Sequence, residues 1–182
     1  MSNEFADARL TELEAVVAAL VARVQELEDD RAIRDLLARY GYMADNCDDE
    51  GFVNLYTDDG AISLSISKAA AASMGTDAAV WTGKDAVREF ITHPQGHHSP
   101  ELYGKSMHLH GNNLVTHVHG DDAVADSYGV ALATADGKTT IVSAGNNQWQ
   151  LRRVGGRWLI RERRGATLGD DQFAKNLDAT PE

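Results

Sequence analysis

The 182 residues suit one domain with a real core plus extra segments. Acidic residues outnumber basic ones 28 to 17, the net charge is −11, and no Lys/Arg cluster tracks one face; this argues against nucleic acid as the main partner. No apolar run approaches the roughly 20 residues that span a bilayer, the N-terminus lacks a signal-peptide core, and the single cysteine, Cys47, excludes an internal disulfide; together these fit a cytoplasmic protein with no membrane partner.

Residues 7–28 read as a helix, with Leu10, Leu13, Val17, Leu20, Val24 and Leu27 stepping by three and four as in a coiled-coil seam. So narrow a stripe is expected to contact another copy of the chain. Asp29 or Asp30 can cap a second helix, Arg31 to Asp45, whose apolar face is Ile33, Leu36, Leu37 and Tyr40. That helix places the Tyr40 phenol and the Asp45 carboxylate near its polar end. An acidic break follows at Asp48-Asp49-Glu50-Gly51, then a short helix from Phe52 to Tyr56, then a turn at Thr57-Asp58-Asp59-Gly60. Cys47 has no nucleophile motif around it and reads as a thiol at a helix end.

Residues 60–67 alternate as a strand. The Ala-rich stretch Lys68 to Asp77 reads as a short helix or an insertion. Lys84 to His93 is a third helix, stopped by Pro94. After a loop over residues 95–104 come four strands joined by short turns: Ser106–Val118, Ala123–Thr134, Thr139–Val154 and Arg157–Thr167. Asp136-Gly137 is a hairpin signal. Helices followed by an antiparallel meander give an α+β fold, with a cavity expected where the sheet curls over the helices.

All seven histidines lie between His93 and His119. His108 and His110 stand two apart on a strand and so share a face. One reading is a metal site, but a cupin-like spacing wants a carboxylate where Leu114 stands. The other is acid–base catalysis, with Asp45 as the partner that orients a histidine and Tyr40 as a hydrogen-bond donor to a substrate oxygen. His97 and His98 sit in the loop, where they could cover a pocket mouth. On the third long strand, the set with Trp149 and Leu151 is the better core face and carries Asn147 inward. His110, Asn147, Trp149 and Tyr128 are the candidate substrate contacts. Arg152, Arg153, Arg161, Arg163 and Arg164 read as solvated faces of outer strands.

The segments Ala32-Ile33-Arg34-Asp35-Leu36 through Tyr40 and Asp45, Phe52 to Gly60, Ser106-Met107-His108, and Arg152 to Ile160 together resemble the SnoaL-like branch of the nuclear transport factor 2-like (NTF2-like) superfamily over about residues 30–168. The resemblance implies a cone-shaped α+β barrel, with N-terminal helices packed on a curved antiparallel sheet. Residues 1–29 would be an added heptad helix and residues 169–182 a loose tail. It also implies a small-molecule pocket and a homo-oligomer, dimer or trimer. In scytalone dehydratase and the dehydrochlorinases, an Asp of the first helix pairs with a His of the central strand; Asp45 and His108 match those places, and Tyr40 matches a position held by Tyr or Lys. The dehydrochlorinase arginine would fall on Arg152. The carboxylates of a ketosteroid isomerase and the Asp-Arg-Asp set of an epoxide hydrolase are not evident. The implied activity is that of a cofactor-independent lyase or isomerase, dehydratase-like, acting on a small, apolar, cyclic substrate with His108, Asp45 and Tyr40 as catalytic residues. The alternatives are a non-catalytic accessory or ligand-binding subunit, a polyketide cyclase, and a metal enzyme built on His108 and His110.

Overall fold

A single helix, α1 (Ser2–Asp45), stands where the sequence predicts two. In the computed structural model, which describes residues 2–66, 72–73, 75–76, 78–110, 115–170 and 173, neither Asp29 nor Asp30 acts as a cap. Asp29 is buried and accepts hydrogen bonds from Arg153 Nη2 at 2.8 Å and Trp158 Nε1 at 3.0 Å. Asp30 accepts from Arg34 Nε at 2.7 Å and Thr116 Oγ1 at 2.6 Å. Carboxylates satisfied by side chains do not compete for backbone N–H groups, so the helix runs on. It stops at Cys47, which takes a φ of +53°, while Asp48 N bonds Met43 O at 2.9 Å and Cys47 N bonds Ala44 O at 3.2 Å. That is a Schellman ending, and it makes Cys47 a turn residue. Burial raises the Cys47 thiol pKa, as expected of a structural cysteine.

Asp48 then caps α2 (Asp49–Val53), accepting from Gly51 N at 2.9 Å. The acidic break is thus the first turn of a helix, and the apolar residues assigned to that helix divide between its end and β1 (Tyr56–Ser65). The turn expected at Thr57–Gly60 lies inside β1, where the register against its neighbour shifts between Tyr56 and Ala61. β2 (Ala78–Thr82) and α3 (Lys84–Thr92) follow. Most of the stretch 68–77 lies outside the described residues. The expected strand Ser106–Val118 is two, β3 (Ser106–His110) and β4 (Val115–His119), both antiparallel to β5 (Asp122–Ala135). β6 (Lys138–Val154) and β7 (Arg157–Thr167) complete the meander. Its turns, Asp136-Gly137 and Gly155-Gly156, have positive φ at both central residues, the signature of type I′ hairpins.

The sheet order is β2-β1-β7-β6-β5-β3, with β4 also on β5. β1 runs parallel to β7, and the other pairings are antiparallel. The sheet curves without closing, so the cone is open, not a complete barrel. Ile33, Leu37, Tyr40 and Ala44 of α1 fill its concave side against Phe52, Ile62, Trp149, Leu151 and Ile160. Residues 7–28 of the same helix are exposed throughout. The start of the tail is seated: Ser65 Oγ donates to Asp170 at 2.8 Å, and Asn146 Nδ2 donates to the Phe173 carbonyl at 2.8 Å. The rest of the expected loose tail lies outside the described residues. No helix among those residues is long and apolar enough to cross a membrane.

Candidate active site

The site begins where α1 touches β3. Gly41 allows the approach: a Cβ there would lie 2.9 Å from the His108 carbonyl oxygen. One helical turn on, Asp45 reaches the same strand and grips His108 twice. Its carboxylate accepts from the His108 backbone N–H at 2.8 Å, and its Oδ1 lies 2.6 Å from His108 Nδ1. A carboxylate on Nδ1 fixes that nitrogen as the N–H and leaves Nε2 free for the cavity. Both side chains are largely buried, 18% and 17% exposed, which preserves the strength of the pairing.

The facing wall is β6 and β7. Asn147 points inward with Trp149 and Leu151, as the alternation of β6 predicts. β7 breaks its own alternation. Leu151 pairs with Ile160 and Gln150 with Glu162, so Arg161 is an extra residue in the ladder. A bulge of this kind reverses the phase of the strand. Trp158 and Ile160 point to the core, and beyond the bulge Arg163 and Gly165 do so instead of their neighbours. The reading of Arg163 as a solvated residue is therefore corrected: it lines the cavity. Its Nε donates to Asn147 Oδ1 at 2.8 Å, an Nη donates to the Tyr40 hydroxyl, and the guanidinium carbon lies 5.0 Å from the Tyr40 ring centroid. The cavity arginine is thus Arg163; Arg152 lies on the other side of the sheet system, paired with Asp122 at 2.8 Å. Arg153, also expected to be solvated, anchors β6 to α1 through Asp29 and lies over Trp158.

The cavity is about 240 Å³ and is lined by His97, His108, His110, Asn147 and Arg163, with Leu64, Phe90 and Val130 among its apolar residues. His97 comes from the loop after α3 and packs on His108 with ring centroids 5.0 Å apart. His110 lies parallel to His108 at 6.2 Å, and its two ring nitrogens are buried without a hydrogen-bond partner among the described residues. Burial, with the charges of Arg163 and His108 nearby, pushes His110 down to about 3. Burial and the same two neighbours push His97 down to about 3 as well. Both are neutral rings at physiological pH. No group of three His, Cys, Asp or Glu among the described residues is arranged to hold a metal ion.

Three sequence candidates fall behind or away from the cavity wall. Tyr40 is 1% exposed and meets Arg163, Phe52 and Trp149. Trp149 is fully buried and donates from Nε1 to Ser127 Oγ at 2.9 Å. Tyr128 points to the opposite face of the sheet, 45% exposed and stacked on Phe173. The inner face of β5 is instead Ala123, Ala125, Ser127 and Gly129, small residues that leave room for Trp149, His110 and Asn147.

A model of the SnoaL-like domain matches residues 25–164. The chain belongs to the SnoaL-like family. Among solved structures, an NTF2-like protein with a cystatin-like fold from Novosphingobium aromaticivorans is 28% identical with a TM-score of 0.72, over 87% of this chain and 94% of that one. From the same organism, a candidate scytalone dehydratase is 21% identical with a TM-score of 0.59, over 78% and 85% of the two chains. The β subunit of a candidate aromatic-ring-hydroxylating dioxygenase, also from that organism, is 23% identical with a TM-score of 0.62, over 81% and 91%. These last two likenesses show the fold alone. No curated protein matches the chain.

Proposed function

We propose that the cavity carries out acid–base elimination or isomerisation on a small oxygenated, ring-containing substrate, without a cofactor, most simply a dehydration. The carrying observation is the double grip of Asp45 on His108, which presents one imidazole nitrogen to an open cavity. His108 Nε2 takes a proton from the carbon next to a carbonyl. The electron pair left on carbon forms the new double bond as the neighbouring C–O bond breaks. The departing hydroxide takes the proton back from His108 and leaves as water. Asp45 holds the imidazole in the productive tautomer and stabilises its cationic form. Arg163, with Asn147, stabilises the negative charge that develops on the carbonyl oxygen. Tyr40 acts as a positioning residue, because its hydroxyl contacts the guanidinium and it lies behind the wall.

An accessory role without chemistry predicts a cavity plugged by aromatic side chains. Here the large rings, Trp149, Tyr40 and Phe52, pack beneath the cavity and leave it open, which supports the catalytic reading. The test is to screen hydroxylated cyclic ketones for loss of water, with His108→Ala and Asp45→Asn as controls. The reading expects turnover that both variants lose; turnover equal in all three proteins overturns the mechanism.

A further inference from the structure

The first half of α1 has a feature that its own domain does not use. Leu10, Leu13, Val17, Leu20, Val24 and Leu27 are each at least half exposed. The seam spans 17 helical steps, about 26 Å. It ends at Arg31 and Arg34, which occupy the next two places in the same heptad phase. The residues by which α1 holds its own domain, beginning with Asp29, are on another side of the helix: at about 100° per residue, Asp29 stands about 180° from Leu20. Among the described residues the seam therefore stays free while the domain is packed.

We propose that this seam binds a second copy of the chain as a parallel, in-register, two-stranded coiled coil. Two independent features select that occupant. The first is side-chain shape. With Leu10 at position a, the a layers are Leu10, Val17 and Val24, and the d layers are Leu13, Leu20 and Leu27. β-branched residues at a with leucine at d favour a parallel dimer. The second is charge. Positions g are Arg9, Val16 and Arg23; the following positions e are Glu14, Val21 and Glu28. In a parallel pair each g residue faces the next e residue of the other copy. That sets Arg9 against Glu14, Val16 against Val21 and Arg23 against Glu28, and the symmetry axis repeats each contact. An antiparallel pair sets g against g and e against e, so neither arginine meets a glutamate and the two valines lose each other. In the single chain Arg23 pairs with Glu26 at 2.7 Å, but both are about two-thirds exposed. Such a surface pair is weak enough to exchange for the interchain one.

The test uses the full chain. Sedimentation velocity measures the mass of the wild type and of Leu20→Glu, with tryptophan fluorescence confirming that the domain is folded. Leu20→Glu is expected to halve the mass of the assembly. In a Cys47→Ser background, Leu13→Cys is expected to form a disulfide with itself on oxidation. In an antiparallel pair the two Leu13 positions stand about 16 Å apart, beyond disulfide reach. Arg9→Glu/Arg23→Glu and Glu14→Arg/Glu28→Arg should each dissociate alone and re-form a dimer when mixed. A monomeric wild type, a mass unchanged by Leu20→Glu, no cross-link at Leu13→Cys, or charge variants that do not rescue each other would each overturn the proposal.

Discussion

The two walls of the cavity hold their charged groups in different ways. On the α1–β3 wall, Asp45 binds His108 through the side chain and the backbone of the same residue, so helix, strand and imidazole are fixed together. On the β6–β7 wall, Arg163 is held by neutral partners, an amide oxygen and a phenol, and has no carboxylate partner among the described residues. In the proposed mechanism the first wall moves the proton, because Asp45 fixes the imidazole tautomer and leaves Nε2 to the cavity. In the same mechanism the second receives negative charge, because its cation is paired with no carboxylate among the described residues. The contrast also separates His108 from His110, two residues along on the same face: among the described residues only His108 has a hydrogen-bond partner for its ring.

The largest losses are expected on the α1–β3 wall. His108→Ala should lower kcat/KM by about 10²–10⁴-fold, measured as loss of water from the substrate found in the screen. Asp45→Asn should keep the fold and lose somewhat less, because the amide can still hold the imidazole but no longer stabilises its cation in the transition state. Next is the β6–β7 wall. Arg163→Met should cost about 10²–10³-fold in kcat. Tyr40→Phe should cost about 3–10-fold, and the loss should vanish in the Arg163→Met background, as a positioning role requires. A full Tyr40→Phe effect in that background would place the phenol in the chemistry itself.

A further prediction concerns pH and stability. His97 and His110 are held near 3 in the folded protein, below the value of about 6.5 in an unfolded chain. Between those values the unfolded chain binds protons that the folded one does not, so stability falls as pH falls from about 6.5 toward 3. Each histidine contributes a slope of at most about 1.4 kcal/mol per pH unit. Urea midpoints at pH 7 and pH 5 should therefore differ less in His110→Asn than in the wild type. A second stability effect is expected at Gly41→Ala. The added methyl forces α1 from β3, costs about 1–3 kcal/mol of stability, and should weaken the Asp45–His108 contact.

The α1–β3 wall was legible in the sequence, and the β6–β7 wall was not. Asp45 follows an apolar helical stripe and His108 sits on a strand with clear alternation, so their meeting needed only the family resemblance to locate it. Arg163 was hidden because one inserted residue, Arg161, reverses the strand, and alternation counted from Trp158 puts the wrong side chains outside. Tyr128 was misplaced for the opposite reason: its strand turns its small residues inward because the space is taken by Trp149, so size is a poor guide to facing. The continuous α1 escaped detection because Asp29 looks like a cap until its partners, Arg153 and Trp158, are known from far along the chain.

The central claim is that His108, held by Asp45, moves a proton at carbon. The direct test is deuterium uptake from D2O, followed by NMR, at the carbon next to the carbonyl of the matching cyclic ketone without the hydroxyl, which can lose the proton but has no group to expel. The account predicts uptake catalysed by the wild type and reduced at least about 10²-fold in a folded His108→Ala protein. Uptake at the same rate in both proteins would contradict it.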